Sequence, residues 1–133
     1  MRYPDWQTQL LNCIQAAKGR PFVWGTLDCC LFVADCCVAL CGVDPAASYR
    51  GRYSTESGAK RVLLREHGSI GAVLDAHFKQ VPVMMAQRGD AVVYDGPNGE
   101  TAGVIWAGAI WAVTEQGPQP LPGVRPKAVW RVE

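Results

Sequence analysis

The sequence predicts an α+β domain, with helices in the first half and an antiparallel sheet in the second. Apolar residues recur at helical spacing up to about residue 78. From Val81 onward, short β-branched and aromatic runs alternate with turn residues. The bulk numbers agree: 133 residues, 49% hydrophobic and 19% charged, suit one domain over residues 1–133 that buries its own core.

A first helix fits residues 5–17, with Asp5 as N-cap, Leu10, Leu11, Ile14 and Ala17 at helical spacing, and Gly19 as its end. Pro21–Asp28 forms a loop. The second helix runs from Cys29 to about Leu40, with Asp28 as N-cap and Gly42 just past its end. Its residues are apolar nearly all round, as a central buried helix requires. Asp44–Tyr53 reads as an extended excursion of basic and aromatic character. Thr55 caps a third helix to about Glu66, with Leu63 and Leu64 inward and Gly68 as terminator. Ser69 opens a short fourth helix ending near Phe78.

The strands follow. Asp90–Tyr94 leads into the turn residues Asp95–Gly99. Strands at about 101–106 and 109–114 meet at Ala107-Gly108, a tight hairpin. Gly117–Pro122 reads as a Pro-rich link to a last strand at Ala128–Val132. Trp106, Trp111 and Trp130 are expected to fill the core or an interface.

Several function classes are excluded at this level. A net charge of +1 argues against electrostatic nucleic-acid binding, and no apolar run reaches the ~20 residues of a membrane span. The N-terminus lacks a signal-peptide apolar region, so export by secretion is not expected. The six cysteines, at 13, 29, 30, 36, 37 and 41, contain no Cys-x-x-Cys. Within the second helix, Cys29/Cys36 and Cys30/Cys37 are two turns apart, about 10 Å, which is beyond disulfide reach. Neither a metal nor another cofactor is expected; the helix cysteines read as small apolar core residues.

The candidate chemistry lies at Cys29. A helix start aims N–H groups and a positive dipole end at a sulfur, and the thiolate is the reactive form. Phe22-Val-Trp-Gly-Thr-Leu-Asp-Cys-Cys-Leu-Phe32 and Arg88–Gly108 resemble the NlpC-type superfamily of papain-like peptidoglycan endopeptidases. More narrowly, the chain resembles a family of tail proteins from bacteriophages and gene-transfer particles. The shared run is Trp24-Gly25, Asp28-Cys29, Gly42-Val-Asp44, Tyr49–Thr55, Gly89-Asp90, Gly103-Val104 and Ala128–Val132. The resemblance implies a papain-like fold with Cys29 at the nucleophile position.

It also implies a histidine base just before the Gly103-Val104 strand, and a third polar group in the next strand. Those places hold Thr101 or Ala102, and Trp111. None of these side chains accepts a proton from a thiol near neutral pH. The tyrosine that precedes Trp-Gly in the superfamily is Phe22 here, and Cys30 replaces the serine that follows the nucleophile. The only histidines, His67 and His77, precede the Gly-Asp landmark. His67 suits the last turn of the third helix and His77 a half-buried structural role. Asp90 reads as a turn residue, and its place at a strand start makes the adhesion-like Arg88-Gly-Asp90 a poor recognition motif.

Two functions are therefore expected from the resemblance. The first is a structural component of a phage tail tip, carried in the virion among hub and distal tail proteins and lacking the catalytic histidine. The second is an active cysteine endopeptidase or amidase acting on host peptidoglycan. It would use Cys29 as nucleophile, Asp28 beside it, and a base from His77 or a partner subunit.

Overall fold

A computed structural model describes residues 1–133. Four helices come first: α1 (Trp6–Ala17), α2 (Cys29–Cys41), α3 (Glu56–Glu66) and α4 (Ile70–Asp75). Six strands follow: β1 (Lys79–Val81), β2 (Ala91–Gly96), β3 (Gly99–Trp106), β4 (Ala109–Thr114), β5 (Gly117–Leu121) and β6 (Ala128–Arg131). They form one antiparallel sheet in the order β1-β6-β2-β3-β4-β5. The fold is thus a mixed α+β arrangement. No helix is long and apolar enough to cross a membrane.

Three helix starts follow from single side chains. Asp28, Thr55 and Ser69 accept from the backbone N–H groups of Leu31, Gly58 and Ala72, each three residues on. α2 ends at Gly42, whose φ is +79°. Seven of its thirteen residues are buried, among them Leu31, Phe32, Val33 and Leu40, so it is covered on several sides. The main core packs α1 and α2 against one face of the sheet. Leu10, Ile14, Phe32 and Leu40 meet Ala91, Val93, Ala102, Val104 and Trp130 there. Phe32 is wholly inaccessible, and truncating such a residue to alanine costs ~3–5 kcal/mol. A second cluster joins the other side of α2 (Leu31, Ala34) to Ala46, Tyr49 and Val62. Val92, Tyr94, Ile110, Ala112 and Val129 form a third on the outer face of the sheet.

Several expectations are corrected. Asp5 occupies the N-cap position of α1 but makes no capping bond; its carboxylate accepts from the Gln9 side chain at 2.9 Å. Leu11 lies off the buried stripe of α1, and Leu64 is 73% exposed while Val62 turns inward. At about 100° per residue, the face holding Val62 and Leu63 excludes Leu64. Asp44–Tyr53 is a coil of turns rather than extended. The Asp44 carboxylate accepts from Ala46 N at 2.9 Å, and Tyr49 N donates to Ala46 O at 2.8 Å. α4 stops at Asp75 because Phe78 enters the core and Lys79 begins pairing with Arg131.

The Pro-rich link is itself a strand. β5 pairs with β4 over Thr114↔Gly117 to Ile110↔Leu121. Pro118 and Pro120 are tolerated because β5 is an edge, where every second N–H has no strand to bond. The β3–β4 hairpin turns at Ala107 and Gly108, with φ of 52° and 78°. Two positive φ values mark the primed turn whose twist matches the flanking strands.

Candidate functional site

The site is built around the start of α2. Asp28 is 1% exposed, and both of its oxygens are used. Oδ1 accepts from Leu31 N at 3.0 Å; Oδ2 accepts from Gly25 N at 3.0 Å and from the Tyr53 hydroxyl at 2.7 Å. One carboxylate therefore caps the helix, closes the Val23–Leu27 turn and anchors the turn coil. Burial and the bond to Asp28 push the Tyr53 phenol well above its ordinary value, so it stays a donor.

Cys29 follows, partly exposed, with its sulfur 3.8 Å from that of Cys30. The Cys30 thiol donating to it is the largest influence and draws Cys29 below the ordinary thiol value. Burial opposes the shift, while the backbone N–H groups of Ala102 and Cys30 assist it. Cys30 moves the other way, well above its ordinary value, because its proton is held in that bond and the group is buried. Of the pair, Cys29 ionises first.

Ala102 is thus the residue that β3 brings to the Cys29 sulfur. It packs in the same core as Phe32 and Val33. Thr101 pairs with Tyr94, whose side chain packs on the outer face, and its hydroxyl donates to Gly99 O at 3.2 Å. Strand alternation therefore puts Ala102 on the thiol's side and Thr101 on the other. Trp111 pairs with Val104, packs against the main core and donates from its indole to Trp106 O at 3.0 Å.

Neither histidine reaches the thiol. His67 caps the end of α3, stacks on Tyr49 with ring centroids 5.6 Å apart and hydrogen-bonds the Tyr49 hydroxyl through Nδ1. It ties the turn coil to α3. His77 is exposed in the turn after α4, with its ring beside Phe78. It does not line the cavity that Cys29 opens onto.

That cavity, about 310 Å³, lies between α2, the turn coil, α3, α4 and the tip of the β2–β3 hairpin. Its walls include Leu31, Val33, Ala46, Leu63, Ile70 and Val73. Cys29, Cys30, Asp28 and Tyr53 lie at one end, and Lys60, Asn98 and Glu100 bring polar groups from α3 and the hairpin.

The Gly-Asp landmark serves the fold. Asp90 is wholly inaccessible, so it is not available as an adhesion ligand. Its Oδ2 accepts from Gln87 N at 2.8 Å, the expected turn bond. Its Oδ1 also accepts from Arg2 at 3.1 Å and Arg131 at 2.9 Å, pinning both chain ends to the sheet. Cys36 and Cys37 are buried in the core, and Cys13 approaches Cys36 to 4.0 Å between sulfurs across α1 and α2. No group of three or more His, Cys, Asp or Glu side chains is placed to hold a metal ion.

Sequence reasoning missed Tyr53 as the partner of Asp28, and the polar trio Lys60, Asn98 and Glu100. The basic-aromatic composition of Tyr49–Tyr53 was the one available signal for the first. Nothing local marks the second.

These features define an α+β domain that presents a polarised thiol pair at the head of a buried helix, beside an apolar cavity. The family model described as a domain of unknown function, DUF6950, matches residues 1–132, and the chain belongs to that family. No curated protein matches the sequence.

Proposed function

We propose that the chain is a papain-like, NlpC-type domain that keeps the nucleophile position but not the base, and that it serves as an assembly component of a phage tail tip. One observation carries the loss of hydrolysis: the Cys29 sulfur meets the Cys30 thiol and the Ala102 backbone, and no imidazole hydrogen-bonds it. A thiol without a base to move protons rarely sustains acyl transfer. The tail-tip assignment rests on the shared run from Trp24-Gly25 to Ala128–Val132. The exposed side chains of Val83, Met84 and Met85 suit contacts with hub or distal tail proteins, because grouped exposed apolar residues mark interaction sites. On this reading the protein is a virion component, placed near the host wall.

A second reading is favoured by the lowered Cys29 thiol. The Cys30 thiol already draws Cys29 below its ordinary value, so a base supplied by a partner subunit would complete a cysteine endopeptidase or amidase acting on host peptidoglycan. His77, exposed and outside the cavity, does not fit that role in this conformation.

Digestion of purified peptidoglycan separates the two. The isolated protein and its Cys29→Ser variant are both expected to release no muropeptides by mass spectrometry, and tails assembled with either are expected to behave alike. Cleaved stem peptides that vanish with Cys29→Ser would overturn the assembly reading. If only assembled tails produced them, the base would come from a neighbour.

A further inference from the structure

One thiol contact serves neither the candidate site nor an assembly role: Cys13 on α1 and Cys36 on α2, with sulfurs 4.0 Å apart. We propose that this pair is an oxidation site, in which a small peroxide converts Cys13 to a sulfenic acid and Cys36 closes on it as a disulfide that ties α1 to α2. The chemistry does not depend on the tail-tip reading. That reading supplies a use for it, because a particle that leaves a reducing cytosol meets an oxidising exterior.

Helical spacing puts the two thiols face to face. On α1, Leu10, Cys13, Ile14 and Ala17 fall on one stripe, three or four residues apart. On α2, Val33, Cys36, Cys37 and Leu40 do the same. Both stripes enter the main core, so the sulfurs meet across two helices rather than along one. A disulfide holds its sulfurs at ~2.05 Å, so about 2 Å remains to be closed by rotating the two side chains and a small approach of the helices.

Two other pairs fall short. Cys29 and Cys30 have sulfurs 3.8 Å apart, but they are neighbours in the first turn of α2. Neighbouring Cα atoms lie ~3.8 Å apart, inside the ~4.4 Å minimum of an ordinary disulfide, so closing that pair would break the helix start. Cys37 and Cys41 are one turn apart on one helix, where Cβ atoms stand ~5–6 Å apart against the ~3.5–4.5 Å a disulfide needs. The Cys41 thiol instead donates to Cys37 O at 3.4 Å. Exposure orders the chosen pair: Cys13 is partly exposed and Cys36 wholly inaccessible, so a peroxide meets Cys13 first.

The peroxide is the oxidant. The Cys13 thiolate attacks one oxygen of hydrogen peroxide; the O–O bond breaks, hydroxide leaves and Cys13 becomes a sulfenic acid. The Cys36 sulfur then attacks the Cys13 sulfur. The S–O bond breaks, and the hydroxyl leaves with the Cys36 proton as water. The two thiols together lose two electrons, and the peroxide gains them. The helix with most to gain is α1: Asp5 makes no capping bond, its first turn has no acidic side chain and its last turn no basic one. Packing is what holds it, and the disulfide adds a covalent tie at the centre of that packing.

The test treats the reduced whole chain with a small excess of hydrogen peroxide, alkylates the remaining thiols with iodoacetamide and locates the bridge by non-reducing peptide mass spectrometry. A Cys13–Cys36 bridge should outnumber every other pairing by roughly tenfold or more, because thiols already held together react far faster than mobile ones. Dithiothreitol should reverse it. In urea the preference should disappear, since the unfolded chain no longer aligns the helices. Cys13→Ala and Cys36→Ala should each abolish the bridge, and Cys37→Ala should keep it; if the Cys36 variant melts early, the Cys13 variant, at the more open position, decides. With 23 positions between the pair, the bridged form should melt roughly 10 °C above the reduced form. A bridge elsewhere, a sulfenic acid trapped on Cys13 without a bridge, no oxidation of Cys13 or an unraised Tm overturns the proposal, and each leaves the missing-base reading untouched.

Discussion

Replacing Asp90 with asparagine removes one buried negative charge and little else. The carboxylate has no solvent exposure and holds two guanidinium groups, Arg2 at 3.1 Å and Arg131 at 2.9 Å, whose side chains are 14% and 21% exposed. Burial already pushes the Arg2 guanidinium below its ordinary value, and the charge of Asp90 opposes that shift. In Asp90→Asn, two charge-assisted bonds disappear and the amide must offer a donor to other donors. Breaking a buried pair costs ~3–5 kcal/mol; both arginines regain some water, which favours the lower end, ~3 kcal/mol. At ~2.1 cal/mol/K per residue, 133 residues give an unfolding entropy of ~0.28 kcal/mol/K, so Tm should fall by roughly 11 °C. Glu56→Gln, which breaks the exposed Lys60–Glu56 pair, is the control, at ~0.2–0.5 kcal/mol and about 2 °C or less. Thermal unfolding by circular dichroism measures both. Equal shifts would refute the claim that Asp90 clamps the two chain ends.

Two further changes probe the helix start. In Cys30→Ala the donor to the Cys29 sulfur is lost, so the midpoint of iodoacetamide alkylation against pH should rise from below the ordinary thiol value of 9.0 toward it. Less thiolate at neutral pH should then slow the reaction; an unmoved midpoint would assign the shift to the backbone N–H groups instead. In Gly25→Ala, a Cβ would stand 2.1 Å from the Tyr53 carbonyl oxygen at a φ of +84°. The strained backbone costs ~1–2 kcal/mol and the clash a further ~1–3 kcal/mol, and the urea midpoint should fall accordingly. A variant as stable as the parent would mean that the Val23–Leu27 turn and Tyr53 move apart freely.

The sequence by itself determined what depends on near neighbours. Asp28, Thr55 and Ser69 start helices because each side chain reaches an N–H only three residues on. The hairpin at Ala107-Gly108 follows from two residues. Identity alone also settled that Thr101, Ala102 and Trp111 offer no imidazole. The tertiary structure decided what requires distant segments to meet. Asp90 finds Arg2 and Arg131, 88 and 41 residues away, and Asp28 finds Tyr53, 25 residues away. No local pattern encodes those pairs, because any acid and any donor are equally matched until the chain closes. Pro118 and Pro120 read as a link until β5 proved to be an edge, where a missing N–H costs little. Ala102, rather than Thr101, faces the thiol because pairing with Val93 sets the strand's phase toward α2. The cavity exists only because α3, α4 and the hairpin stop short of filling the space beside α2.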